Sequence, residues 1–163
     1  MNFKLALFIL FSLAALNLRA QIDSSNHFEE LHHSEYELGF SNGIVYDFGE
    51  SELAYGLHLH FVKTIGKSDK IGIGLGYERI FDDHKHNAVS VIFLFRPIEH
   101  FSLNLAPGVS WLATESNSEK FSMHLESLYE WELGNFHFGP LLGVATNMED
   151  FHASLGIHIA IGF

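Results

Sequence analysis

The chain lacks cysteine and has few basic residues, and each of these features excludes a class of structure or ligand. It contains no cysteine, so disulfide bonds and lipid attachment at a cysteine are excluded, although an exported protein could have used disulfides. Nine Lys and Arg stand against 20 Asp and Glu, which gives a formal net charge of −11 at pH 7. So acidic a chain is a poor partner for a nucleic-acid backbone, and we expect no nucleic acid among its ligands.

Long apolar runs are also missing, apart from one near the N-terminus. Residues 1–20 begin with MNFK, continue with the apolar stretch LALFILFSLAAL and end at Ala20. This arrangement predicts a secretory signal peptide, cut between Ala20 and Gln21, because the stretch is too short for a membrane-spanning helix. Cleavage would leave 143 residues with a formal charge of −13. With no other run near the roughly 20 residues of a spanning helix, membrane insertion would require a closed barrel.

A period of two runs through most of the remaining sequence. In the last thirteen residues, FHASLGIHIAIGF, one row is entirely apolar, and the other holds only histidine, serine, glycine and alanine. Such alternation predicts a β-strand. Residues 21–34 show no periodicity and are interpreted as a polar lead-in, rich in His and acid, on the periplasmic side. From residue 35 to residue 163 we predict eight strands, at 36–48, 53–63, 70–80, 87–96, 101–113, 119–133, 136–146 and 151–163.

The two faces of these strands differ in a way that predicts a transmembrane barrel. One row is strongly apolar, as in Val89, Val91, Phe93 and Phe95, whereas the opposite row is small or polar. A soluble barrel would place its apolar rows inside, whereas a membrane barrel turns them towards lipid. Aromatic residues gather near both ends of the predicted strands, as expected at the two headgroup levels. The predicted fold is therefore all-β, an eight-stranded antiparallel up-and-down transmembrane β-barrel.

These features resemble the small eight-stranded outer-membrane barrels, a group that includes OmpX and the transmembrane domain of OmpA. The segments GIGLGYERIF, RPIEHFSLNLAPG and FHFGPLLGVATN are most similar to small outer-membrane barrel proteins of Bacteroidota. The resemblance covers about residues 35–163 and implies a monomer surrounded by outer-membrane lipid, with Phe163 recognised by the barrel-assembly machinery. It implies little about activity, because this fold hosts adhesins, enzymes and proteins of other roles.

An even number of strands places both termini at one end, which we expect to be periplasmic. The connections 49–52, 81–86, 114–118 and 147–150 would then face outside, and 64–69, 97–100 and 134–135 the periplasm. Gly134-Asn135 predicts a tight hairpin. Pro97 is expected in a turn, and Pro107 with Gly108 predicts a bulge inside the fifth strand.

Histidine is abundant, with twelve in the chain, and several fall on rows predicted to face the lumen. The lumen of an eight-stranded barrel is narrow enough for side chains to meet across it. Neutral imidazole and carboxylate ligands suit zinc, copper or nickel. The residues predicted to hold a divalent metal, Zn or Cu, are His58, His60, Glu130, His137 and His158. Predicted to lie nearer the outer end are Glu78, Glu126, His124 and His152.

A structural interpretation of the same residues stays open beside metal binding. Almost no Lys or Arg is predicted inside, so each His would pair with a Glu and form a polar core. Two exposed groups could also hold metal loosely, Glu29 and Glu30 with His32 and His33, and Asp82 and Asp83 with His84 and His86.

An enzyme is the third hypothesis. Some eight-stranded outer-membrane barrels modify lipid A, and one deacylase uses a His-x-Ser pair with an acid. His152-Ala153-Ser154 has this spacing, and His152 would act as base for the serine nucleophile. The predicted face of both side chains is the lumen, away from lipid, so we expect a structural or binding role rather than catalysis. The filled interior argues against a diffusion pore, and the short connections argue against a loop-based adhesin.

Overall fold

Eight β-strands form the part of the chain that the structure describes. A computed structural model describes residues 34–66, 70–116, 118–147 and 150–163. The signal peptide predicted at 1–20 lies outside the described residues, as does nearly all of the lead-in predicted at 21–34. Within the described ranges no helix is long and apolar enough to cross a membrane. The strands are β1 (Tyr36–Asp47), β2 (Glu52–Ile65), β3 (Ile71–Phe81), β4 (His86–Ile98), β5 (Phe101–Leu112), β6 (Lys120–Tyr129 and Trp131–Leu133), β7 (Phe136–Thr146) and β8 (Phe151–Gly162).

The strands close into a ring. Each strand pairs antiparallel with the next one along the chain, and β1 also pairs with β8, with Ser41 opposite His158. Closure leaves no unpaired edge among the described strands, and such an edge would otherwise invite pairing with other chains. The prediction of an eight-stranded antiparallel up-and-down barrel is confirmed.

Two of the three prolines, Pro97 and Pro107, are accommodated differently from the prediction. The register between β4 and β5 is the same on both sides of Pro107, so the predicted bulge at Pro107 and Gly108 is wrong. The register shifts instead between Phe95 and Ile98, which surround Pro97, and Pro97 lies inside β4 rather than in a turn. Pro140 in β7 faces the break between the two segments of β6. A proline donates no hydrogen bond to the neighbouring strand, so each of these sites interrupts a ladder locally.

The outward rows are apolar and exposed all around the barrel. Leu75 has 66 % of its surface exposed, Leu155 has 63 % and Ile44 has 59 %. This is the arrangement predicted for a membrane barrel and the reverse of a soluble one. The inward rows are not only small and polar, as predicted, because part of the interior is apolar. Its buried apolar cluster contains Val62, Ile92, Leu94 and Ala106.

The two ends of the barrel differ. The end that holds Tyr36 and Phe163, here called the terminus end, carries the short turns 99–100 and 134–135. The opposite end, here called the loop end, carries the connections 48–51 and 82–85 and the described residues of two others, 113–116 with 118–119, and 147 with 150. The hairpin predicted at Gly134-Asn135 is confirmed, with Leu133 opposite Phe136.

Aromatic side chains line both ends. At the terminus end the rings of Tyr36 and Phe61 lie 5.8 Å apart, and those of Tyr36 and Phe163 lie 6.0 Å apart. At the loop end the ring of Phe48 lies 5.3 Å from that of Phe151. Two such girdles are expected where rings sit at the level of lipid headgroups.

Candidate functional site

The strand period brings the polar side chains of several strands into one narrow interior. Ser41 on β1 is aligned with His58 on β2 and with His158 on β8. Because successive side chains point to opposite faces, the outward neighbours of the two histidines are apolar, while Ser41, His58 and His158 are themselves buried. The interior therefore holds layers of polar groups that must satisfy one another.

The layer nearest the terminus end is centred on Glu37. Its carboxylate accepts a hydrogen bond of 2.6 Å from Nη2 of Arg96 and one of 3.3 Å from Nε2 of His60. Nδ1 of His137 lies 3.7 Å from the same carboxylate. All four side chains are buried. We call the following set the terminal network: Glu37, His60, Arg96, Glu130, His137 and His158.

The remaining members of the terminal network extend this layer across the lumen. The ring of His158 stacks on that of His60, with centroids 5.1 Å apart and an interplanar angle of 8°. Nδ1 of His158 is hydrogen-bonded to Oγ of Ser41 at 3.0 Å. Glu130 accepts a hydrogen bond from Oγ of Ser102, and its Oε1 lies 3.5 Å from Nε2 of His158. The network thus joins strands from every side of the barrel.

A second layer lies in the middle of the barrel. Nδ1 of His58 donates a hydrogen bond of 3.0 Å to Oε1 of Glu126. The amide of Asn104 donates to the other oxygen of Glu126 at 3.4 Å. His58 is also aligned with Glu78 on the neighbouring strand β3. This layer connects the terminal network to a third group nearer the loop end.

The third group contains Glu78, His124 and His152, and we call it the mouth cluster. Nδ1 of His124 lies 3.0 Å from Oε2 of Glu78, and the rings of His124 and His152 meet edge to face with centroids 5.8 Å apart. One potential ligand atom from each residue lies within 4.8 Å of the other two. All three side chains line a cavity that opens towards the loop end.

The structure divides the five residues predicted to hold metal. His60 and His158 form one set of close ligand atoms with Glu37, and Glu130 and His137 form another with the same Glu37. In each set the ligand atoms lie within 4.8 Å of one another. The fifth residue, His58, pairs instead with Glu126 in the middle layer. Four of the five predicted residues therefore lie in two overlapping sets that share the carboxylate of Glu37, and His58 lies in neither.

Arg96 is an interior residue that the sequence analysis missed. The expectation of almost no cation inside the barrel is wrong at this position, because Arg96 is 7 % exposed and binds Glu37. A signal was present in the sequence: Ile92, Leu94 and Arg96 form one row, opposite the lipid-facing Phe93 and Phe95. The guanidinium sits beside the carboxylate shared by both candidate metal sets, where a cation would be repelled.

The exposed cluster predicted around residue 82 is an ion-paired turn at the loop end. Asp82 accepts hydrogen bonds from the backbone N–H and the ring of His86, and Nε2 of His84 lies 3.2 Å from Glu50. The other exposed group, at residues 29–33, lies outside the described residues.

The His-x-Ser pair of the enzyme hypothesis faces the interior. His152 and Ser154 stand on the inner row of β8, alternating with the exposed Phe151 and Leu155. Lipid would meet the outer row, so this placement does not favour a deacylase.

Comparison with known proteins relates the chain by fold. No protein-family model and no curated protein sequence matches it. Neisserial surface protein A (NspA) superposes with a TM-score of 0.59 at 8% identity, over 78% of this chain and 96% of that one. Ail of Yersinia pestis gives 0.48 at 16% identity, over 79% and 98% of the two chains. The N-terminal β-barrel domain of Pseudomonas aeruginosa OprF gives 0.49 at 15% identity, over 80% and 100%. The chain thus shares the fold of the small outer-membrane barrels, and NspA is the comparison that carries this conclusion.

Proposed function

We propose that this chain is an outer-membrane protein with a closed interior and a structural or binding role, rather than a channel. The observation that carries the proposal is the continuous outward belt of exposed apolar side chains around a barrel whose polar groups point inward. In water such a belt would be a large aggregation-prone surface. In a bilayer the same belt is the stable arrangement.

The interior supports a closed barrel. The terminal network spans the lumen through buried ion pairs and hydrogen bonds, and Ile92 and Leu94 fill the space beside it. Eight strands enclose a lumen that side chains can fill. A continuous water path for ions would have to break these contacts.

Several further features belong to the same proposal. Residues 1–20 would direct export and be removed, and the terminus end would face the periplasm. Within the described ranges the closed ring leaves no free strand edge, which supports a monomer. Phe163 lies on the outward row and is 60 % exposed, and in this proposal it is the residue that the barrel-assembly machinery would recognise.

Folding into lipid vesicles tests the proposal in two separate readouts. Trp131 lies on the outward face with 48 % of its surface exposed. The other tryptophan of the chain is Trp111, so the measurement uses the variant W111F. We expect vesicles with brominated acyl chains to quench the fluorescence of Trp131 in this variant after folding, and we expect the folded band to be heat-modifiable. In planar bilayers we expect no stepwise ion conductance.

Each readout can contradict one part of the proposal. Failure to insert, or a Trp131 that brominated chains do not reach, would contradict a membrane barrel. Steady conductance steps from the inserted protein would leave the membrane barrel intact and contradict the closed interior.

Metal binding by His58, His60, Glu130, His137 and His158 stays a prediction. The proximity of ligand atoms around Glu37 supports it, whereas Arg96 competes for the same carboxylate. Zinc titration of the double variant H60A/H158A separates the interpretations. Loss of saturable binding would place the metal in the terminal network, and unchanged binding would assign that network a structural role.

A further inference from the structure

The mouth cluster combines side chains from opposite walls of the barrel. His124 on β6 and His152 on β8 are both aligned with Ala145 on the intervening strand β7. In a ring of eight strands β3 stands opposite β7, and β3 supplies Glu78. The methyl side chain of Ala145 leaves space between the two imidazoles. An ion held here would be bound by two histidines of one wall and a carboxylate of the other.

Two polar atoms at this place have no hydrogen-bond partner among the described residues. One is Nε2 of His152, and the other is Oγ of Ser122, whose residue is only 1 % exposed. Both side chains line the same cavity as Glu78 and His124. A buried polar atom without a partner costs free energy, and a bound ion with its water would remove that cost.

The charge of the surroundings favours a cation. The cavity around the mouth cluster is also lined by the carboxylates of Asp47, Glu50, Glu52 and Asp82. Among the described residues that line it, none is Lys or Arg. A cleft lined by charge of one sign concentrates counter-ions. The contrast with the terminal network is direct, because there Arg96 occupies the carboxylate of Glu37.

We propose that Glu78, His124 and His152 form a binding site for one divalent transition-metal ion, open to the loop end of the barrel. Three protein ligands of the His and carboxylate type leave a coordination position for water or a further ligand, an arrangement found for zinc. Copper would bind more tightly than zinc in the same ligand set. The site lies apart from the set predicted around His60 and goes beyond the structural role proposed above.

Zinc titration with matched variants tests the site. The untagged full protein is purified from membranes in detergent, freed of metal, and titrated with Zn²⁺ in a calorimeter. We expect one ion per chain with a dissociation constant below about 1 µM. Because even residues that only support a ligand contribute 10- to 100-fold in affinity, we expect H152A and E78Q each to weaken binding at least about 100-fold. H100A is the matched control, since His100 pairs with Glu99 at the terminus end, and it should bind like the unaltered protein.

Folding of every variant is checked by heat-modifiable migration. If H152A fails to fold, E78Q decides, because glutamine keeps the shape of the side chain and one acceptor oxygen while it removes the charge. Co²⁺ provides a readout on the unaltered protein, in which intense visible bands would report a low-symmetry site with nitrogen and oxygen ligands. Binding that does not saturate, binding unchanged in folded E78Q, or binding abolished by H60A/H158A instead would overturn the proposal.

Discussion

At the scale of the residue, Glu37 shows how this barrel stabilises charge inside a membrane. A carboxylate that is 5 % exposed has lost nearly all its water, which costs several kcal/mol unless partners replace it. Arg96 and His60 donate hydrogen bonds to it, and His137 adds a third close contact. The buried charges therefore stabilise one another. Removing any one of these side chains would leave another buried charged or polar group without its partner.

Replacing Arg96 by alanine tests this dependence. We expect R96A to lower the free energy of unfolding by about 3 kcal/mol, because breaking a buried ion pair leaves an unpaired charge. The measurement is urea unfolding in lipid vesicles, followed by tryptophan fluorescence. The matched control is K63A, which breaks the exposed pair of Lys63 with Glu35 at 2.9 Å and should change stability little. Equal effects of the two variants would mean that the terminal network is not structural.

At the scale of the element, alternation determines which face each strand residue occupies, and proline determines where the ladder is interrupted. The register between β6 and β7 continues from Leu128 opposite Leu141 to Trp131 opposite Phe138. Pro140 lies within this interval and donates no hydrogen bond, so the pairing pauses at Glu130 without a shift. Pro107 likewise removes one backbone hydrogen bond without shifting the register. A β-bulge requires an extra residue in one strand, and a lost hydrogen bond does not supply one.

The hairpin between β6 and β7 depends on one backbone angle. Gly134 has a φ of 62°, and glycine at the first central position is typical of a type II′ turn. We expect G134A to cost about 1 kcal/mol in the free energy of unfolding, since other residues reach this region with strain. The control N135A should lie within about 0.5 kcal/mol of the unaltered protein. A G134A variant as stable as N135A would show that the turn tolerates a side chain.

At the scale of the whole molecule, closure turns eight amphipathic strands into a cylinder with two unlike ends. The mouth cluster and the carboxylates around it face the loop end, whereas the ion pair of Glu37 with Arg96 lies towards the terminus end. If the loop end faces outside, the mouth cluster can exchange ions with the surroundings of the cell. The orientation of the barrel in the membrane therefore determines whether the mouth cluster is exposed to ions outside the cell or to ions of the periplasm.

The absence of cysteine makes orientation measurable with single-cysteine variants. Asp83 lies in a loop-end turn and Asn135 in a terminus-end turn, and both are exposed. We expect a membrane-impermeant maleimide to label D83C in intact cells and N135C only after the outer membrane is permeabilised. The reverse labelling pattern would invert the proposed orientation.

The class of fold and the faces of the strands follow from the amino-acid sequence alone. Alternation is local, so outward residues such as Leu75 and Leu155 could be assigned from their immediate neighbours, and Gly134-Asn135 identified its own turn. It also placed His60, His137 and His158 inside, because they stand on inward rows.

Which interior groups contact each other depends on the folded barrel and does not follow from the sequence pattern. Glu37 and Arg96 are 59 positions apart, and their contact depends on the register of β1 to β4 and on the tilt of strands in a closed ring. Ser41 and His158 are 117 positions apart and meet through the pairing of β1 with β8. A period of two assigns a face but no height along the barrel. For this reason the sequence predicted correctly that the five candidate metal ligands lie inside the barrel. It could not predict that four of them lie close to Glu37 whereas His58 pairs with Glu126.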